Sequence, residues 1–202
     1  MKKAGIKNYE KFAKQVIEAI PDRPVSFEVF ADELSDMSAQ AKVIASWGSN
    51  VNVKIPVTNT KGKFTGPIIR ELSATGVKLN ITAVFTLKQV RSIAENLFLD
   101  TPAIISVFAG RIADTGLDPL PLMRESVEIL NDLPKAELLW ASPRELLNII
   151  QADEVCCHII TATPDILGKL KSLEKDLSEF SLETVQMFYN DASTAGYTIN
   201  TQ

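Results

Sequence analysis

Short apolar runs with polar alternation recur along the chain, separated by stretches of helical period. Val25 to Phe30, Val51 to Ile55, Val77 to Val84, Ala103 to Phe108, Glu137 to Ala141 and Glu154 to Ile160 read as strands. Asn8 to Ile20, Ser38 to Trp47, Pro67 to Thr75, Leu87 to Leu97, Leu122 to Leu130, Arg144 to Ile150, Asp165 to Lys171 and Leu182 to Ala195 read as helices. Pro56 stops the second strand, and Gly76 supplies a helix stop. The segment Gly110 to Pro119 reads as a loop. The starts Val25, Val51, Val77 and Ala103 recur every 26 residues, near the minimum for a strand and helix returning to a parallel strand.

Regular alternation of this kind predicts an α/β fold with a parallel sheet. A glycine-rich phosphate loop after the first strand, the mark of a doubly wound open sheet, is absent, so the expectation is a (β/α)8 TIM barrel. Such a barrel has eight strands, and the pattern contains only six. Helix Asn8 to Ile20 has no strand before it. The first two strands are therefore expected to be absent from this chain, either because Met1 is an internal methionine or because the chain is truncated. The remainder reads as one domain over 1–202, with 179–202 as a C-terminal helix and tail.

Strand parity carries the chemistry, because successive side chains point to opposite faces. Val25, Phe27 and Val29 share one face with Val51, Val53 and Ile55 and with Val77, Leu79 and Ile81. The other face receives Ser26, Glu28, Asn52, Lys54, Lys78, Asn80, Thr82 and Ser106. In a barrel the apolar face meets the helices, so three consecutive strands send polar groups toward the axis. Burying such groups costs free energy unless each is paired. A Glu28–Lys54 ion pair serving only the fold is one outcome; a reaction site is the other. A desolvated lysine can attack a ketone as the neutral amine and form an imine, with Glu28 as the proton carrier.

Composition narrows the partners. Apolar residues make up 46% of the 202 residues and charged residues 23%, with a formal net charge of −4. No basic stripe for nucleic acid is present, and no apolar run reaches the roughly 18 residues of a membrane span. The charged start Met1, Lys2, Lys3 lacks the apolar stretch of a signal peptide. The adjacent Cys156 and Cys157 lack disulfide geometry and suggest a reducing, cytoplasmic setting. One histidine, His158, offers no metal-ligand spacing and reads as a packed residue. No metal or cofactor is expected.

Several segments carry a family resemblance, in order and one per strand. Val53-Lys54-Ile55-Pro56-Val57-Thr58 resembles the Schiff-base lysine motif of the transaldolase and fructose-6-phosphate aldolase family. Phe27-Glu28-Val29 resembles its acid/base strand, and Leu79-Asn80-Ile81-Thr82 the strand whose asparagine and threonine line the site. Ser106-Val107-Phe108-Ala109-Gly110-Arg111-Ile112 and Ala141-Ser142-Pro143-Arg144 resemble its phosphate-binding segments. The resemblance implies catalytic roles for Lys54, Glu28 and Thr82, and substrate contacts from Asn80, Ser106, Phe108, Arg111, Ser142 and Arg144. Ser142 could also cap a helix beginning at Pro143, a role compatible with the phosphate contact. Val107 departs from the family's usual proline and Ala109 from its common valine. The family's early aspartate strand and Thr-Asn-Pro segment have no counterpart.

Within the family, the aldolases carry glutamine in place of Glu28 and tyrosine in place of Phe108. This chain has the transaldolase residue at both. The implied function is transfer of a dihydroxyacetone unit from a ketose phosphate to an aldose phosphate. The alternatives are a fructose-6-phosphate aldolase releasing free dihydroxyacetone, and an inactive homologue acting as a binding or assembly partner. Small sugar phosphates are the expected ligands, and a homo-oligomer the expected assembly, with the apolar face of the last helix on the barrel mouth or a neighbouring subunit.

Overall fold

The computed structural model describes residues 5–201; the start at Met1 to Lys3 lies outside them. The chain divides into two compact units, Met1–Ala162 and Thr163–Gln202.

The first unit holds six parallel strands: β1 Val25–Glu28, β2 Val51–Pro56, β3 Leu79–Val84, β4 Ala103–Val107, β5 Ala136–Trp140 and β6 Ile159–Ile160. They lie side by side in chain order. The sheet curls as part of a (β/α) barrel, with β1 and β6 at its two edges. Helix α1 Tyr9–Ala19 precedes β1, and α2 Leu34–Ala45, α3 Gly66–Ala74, α4 Leu87–Ala94, α5 Ala109–Ala113, α6 Leu120–Leu130 and α7 Leu147–Glu154 connect the strands. Asn8 starts α1 by accepting the Lys11 N–H on its side chain. Thr86 and Gln89 form a reciprocal capping box at the start of α4.

The apolar parity packs against the helices. Phe27, Val53, Ile55, Leu79, Ile81, Ile105, Val107, Leu138 and Trp140 belong to one buried cluster with helix residues such as Met37, Leu72, Ile93 and Met123. Stability of the unit rests here, because burial of each large apolar side chain contributes about 1.5–3 kcal/mol. The opposite face therefore need not be apolar.

The β1 edge is covered. At β1 the Glu28 N–H donates to the Tyr9 hydroxyl at 3.0 Å. The Gln40 side chain accepts from the Phe30 and Ala31 N–H groups at 2.7 and 3.0 Å. Tyr9, Phe27 and Trp47 pack edge to face beside that border, which blunts an otherwise open strand.

The sixth strand is shorter than the apolar run Glu154 to Ile160 predicts. Helix α7 continues through Glu154, and Cys156 takes a left-handed backbone with φ of 57°. The next two side chains then serve β5: the Leu138 N–H donates to His158 Nδ1 at 3.1 Å, and Cys157 Sγ lies 3.4 Å from the Leu138 oxygen. His158 is thus a packed structural acceptor. Burial pushes the Cys157 thiol up to about 11, whereas Cys156 is exposed. We expect iodoacetamide at neutral pH to alkylate Cys156 and spare Cys157, since only the thiolate reacts. Mass spectrometry showing equal labelling in the folded protein would contradict this placement.

The second unit contains α8 Pro164–Gly168, a 3₁₀ turn at Lys169–Ser172 and α9 Leu177–Ala195. Helix α9 begins five residues before the Leu182 expected from the pattern, because Asp176 accepts from the Ser178 and Glu179 N–H groups. Gly196, with φ of 67°, ends it. Among the described residues no helix is long and apolar enough to cross a membrane.

Candidate functional site

The polar parity meets on one face. Glu28 of β1 stands opposite Lys54 of β2, and Lys54 stands opposite Asn80 of β3. Thr82 is the register partner of Pro56. Asn80, Thr82 and Ser106 are buried, Lys54 is half-buried and Glu28 is exposed. The face changes character across β4 and β5, where Ile104, Leu139 and Ala141 form a small apolar cluster with Phe108 and Ile159 packed on it. Polar and apolar halves thus lie side by side, as a ligand with hydroxyls and a carbon backbone requires.

The polar half contains groups that are already engaged and groups that are not. Asn80 Nδ2 donates to Ser26 Oγ at 2.9 Å, and Ser106 Oγ donates to Asn80 Oδ1 at 2.7 Å. This ladder across three strands fixes the Asn80 amide, and it leaves the lone pairs of Ser106 open to a ligand hydroxyl. Ser26 is a member of this site that the family motifs do not mark; its strand parity, two residues before Glu28, is the signal for it.

By contrast, the Thr82 hydroxyl is buried with no hydrogen-bond partner. Leaving a buried hydroxyl unpaired costs about 1–3 kcal/mol, so the protein leaves the hydrogen-bonding capacity of Thr82 unused, as it does for the indole nitrogens of Trp47 and Trp140. Glu28 and Lys54 are register partners, yet no ion pair within 4.0 Å joins their side chains. The purely structural ion pair considered above is therefore not formed.

Backbone irregularities sit at the C-terminal ends of the strands, where barrel sites lie. Strand β3 bulges after Ile81, so that Val84 pairs with Val107 one residue late. Ala83 takes a φ of 59° at that bulge. The extra residue turns Val84 back into the buried core, and Thr82 is the last polar side chain sent to the site face. Bulges of this kind re-aim side chains beside functional sites. Ser142, just after β5, has a φ of 58°. Non-glycine residues in this region carry local strain of about 1–3 kcal/mol.

The two candidate phosphate-binding arginines follow β4 and β5. The segment Gly110 to Pro119, expected as a loop, is helical only at its start, where α5 carries Arg111, and is turn and loop from Asp114 to Pro119. The Arg111 guanidinium lies 5.1 Å from the centre of the Phe108 ring, a cation–π arrangement. Phe85 packs against Phe108 at 5.6 Å. Arg144 Nε donates to both carboxylate oxygens of Asp114, at 2.9 and 3.1 Å, and its Nη2 bonds the same carboxylate. This hydrogen bonding, reinforced by the charge of Arg144 and then of Arg111, holds the Asp114 carboxyl below the usual carboxylate range. The Arg144 N–H donates to Asn148 Oδ1 at 2.7 Å. No sequence pattern marks Asp114, because it acts on a residue 30 positions away; Asn148 acts locally, accepting from the Arg144 and Glu145 N–H groups just before α7. Ser142 does not cap a helix at Pro143: α7 starts at Leu147.

A cavity of about 320 Å³ opens at the other end of the strands, between Pro24, Asn52, Lys78, Ile104 and Glu137. Lys78, counted above with the axis-facing residues, there donates to the Ser49 carbonyl at 2.7 Å. None of the candidate residues lines this cavity, and the N-terminal end of a barrel sheet serves stability rather than chemistry. Among the described residues no group of three or more His, Cys, Asp or Glu side chains is placed to hold a metal ion.

A family model described as transaldolase/fructose-6-phosphate aldolase matches residues 4–201. A probable transaldolase 2 of Listeria monocytogenes is 34% identical over 165 residues, which is 81% of this chain and 72% of the relative. A probable transaldolase of Dehalococcoides mccartyi is 34% identical over 169 residues, 83% of this chain and 74% of the relative. A third, from Nitrosopumilus maritimus, is 30% identical over 179 residues, 88% and 76% respectively.

Proposed function

Since the chain belongs to the transaldolase/fructose-6-phosphate aldolase family, we propose that Lys54 forms a Schiff base with a ketose phosphate and that the protein transfers the resulting dihydroxyacetone unit to an aldose phosphate. The observation that carries this reading is a lysine amine without an ion-pair partner, flanked in register by a carboxylate on β1 and a buried asparagine on β3. Lys54 attacks the ketone carbon, and water leaves as the imine forms. Glu28 carries protons to and from the reacting oxygens. The Thr82 hydroxyl, having no partner in the protein, orients the water exchanged in these steps. The Asn80–Ser106 pair binds substrate hydroxyls. Cleavage between carbons three and four leaves an enamine on Lys54, and an aldehyde acceptor receives it.

Arg111, Arg144 and Ser142 bind the phosphate; a planar guanidinium fork suits a phosphate dianion. Phe108 lines the apolar half of the site and supplies no proton. The enamine therefore waits for an acceptor instead of being released. The test is borohydride reduction of the protein with fructose 6-phosphate. A stable three-carbon mass increment on the peptide containing Lys54 is expected; an increment on another lysine sinks the assignment.

The second reading, an aldolase that releases dihydroxyacetone, turns on Phe108. We expect Phe108→Tyr to raise release relative to transfer by roughly 100-fold, the usual worth of a placed general acid. Release measured without acceptor, beside transfer measured with it, checks this. An unchanged ratio would place Phe108 outside the reaction.

A further inference from the structure

Helix α5 does more than present Arg111. It touches the segment after β5 at two points, and both involve the backbone or side chain that carries the second arginine. At Gly110 a Cβ would lie 1.5 Å from the Ser142 carbonyl oxygen and 2.6 Å from its carbonyl carbon. The Gly110 N–H donates to the Ala141 oxygen at 3.2 Å. Only a residue without a side chain permits this approach, and it occurs where Ser142 adopts its left-handed backbone. At the C-cap of the same helix, Asp114 holds the Arg144 guanidinium through Nε and Nη2.

We propose that Gly110 and Asp114 are positioning residues that lock the Ser142–Arg144 segment onto α5, so that Arg111 and Arg144 act on one phosphate as a unit. The proposal rests on the reading of Arg111 and Arg144 as phosphate ligands. Both arginine side chains are exposed, and each would otherwise lose substantial rotamer freedom on binding. Asp114 fixes Arg144 beforehand along one edge of its fork and leaves the remaining N–H groups for the ligand. An aspartate is ionised at neutral pH in any case; hydrogen bonding to Arg144 lowers the Asp114 pKa further, so the lock weakens only as pH falls through that lowered value.

Electrostatics and positioning predict opposite signs here. Removing the Asp114 carboxylate adds one positive charge beside the phosphate, which by itself tightens anion binding. Losing a preorganised guanidinium weakens it.

The experiment is calorimetric titration of the full chain with inorganic phosphate, which does not depend on Lys54. The wild-type chain should bind, and Arg111→Ala should lose binding. Asp114→Ala should weaken it by about threefold despite the added positive charge, and Asp114→Glu should recover part of the loss. Gly110→Ala should weaken it by about tenfold or more, since displacement of about 1 Å suffices for effects of this size. If Gly110→Ala does not fold, the Asp114 series decides alone, because that residue is exposed. Tighter or unchanged phosphate binding in Asp114→Ala overturns the proposal, as does a wild-type chain that binds no phosphate through Arg111. A chain that binds phosphate as described but forms no adduct on Lys54 would overturn the proposed chemistry and leave the positioning role standing.

Discussion

Replacing Lys54 with Met should abolish the borohydride-trapped adduct and lower transfer by at least about four orders of magnitude. The amine is the only group in the proposed sequence that becomes covalently bonded to substrate, and removing a covalent nucleophile forfeits a large share of the 10⁶-fold or greater acceleration typical of enzymes. Methionine keeps most of the side-chain volume without a nucleophilic nitrogen. The fold should tolerate it, because packing in β2 is carried by Val53 and Ile55, both fully buried on the opposite face. No ion pair or hydrogen bond of the Lys54 amine is lost, so the urea midpoint should stay within the small change expected at a site of this kind. Adduct formation by mass spectrometry, transfer rate and urea unfolding together separate a chemical loss from a folding loss. Persistence of the adduct in Lys54→Met would remove the residue from the mechanism.

Glu28→Gln should lower transfer by about 100- to 10,000-fold, the range attributed to a positioned general acid or base. The side chain is exposed at the sheet border and makes no ion pair with the described residues, so its loss should leave stability unchanged. The backbone bond from the Glu28 N–H to Tyr9 does not involve the carboxylate. Adduct formation on Lys54 should slow but still occur, because the amine is intact. Combining Glu28→Gln with Phe108→Tyr moves the proton-carrying group from β1 to the end of β4, and release of dihydroxyacetone should then exceed transfer. A Glu28→Gln chain with unchanged transfer would assign the proton carriage elsewhere, and Thr82 with its unpaired hydroxyl is the residue to change next.

The sequence by itself determined the succession of strands and helices, the parallel sheet and the separation of polar from apolar faces. The physical reason is that these are local properties: a period of two in Val51–Pro56 or Leu79–Val84, read against a helical period between them, depends only on neighbours in the chain. The same parity placed Glu28, Lys54, Asn80 and Thr82 on one face, and the structure puts the first three in register. Where local signals compete, the reading failed. The apolar run at Glu154–Ile160 looks like a strand, yet Val155 and Cys157 donate their N–H groups back to Gln151 and Ala152, and the pairing with β5 begins only at Ile159. Only the tertiary structure decided which polar groups stand alone and which are engaged. Asn80 meets Ser26 and Ser106 from residues 54 and 26 positions away, Asp114 takes Arg144 across 30 residues, and Gly110 accommodates the Ser142 carbonyl. Such pairings follow from strand register, a one-residue bulge in β3 and the contact of two turns, none of which is written in the pattern of any single segment.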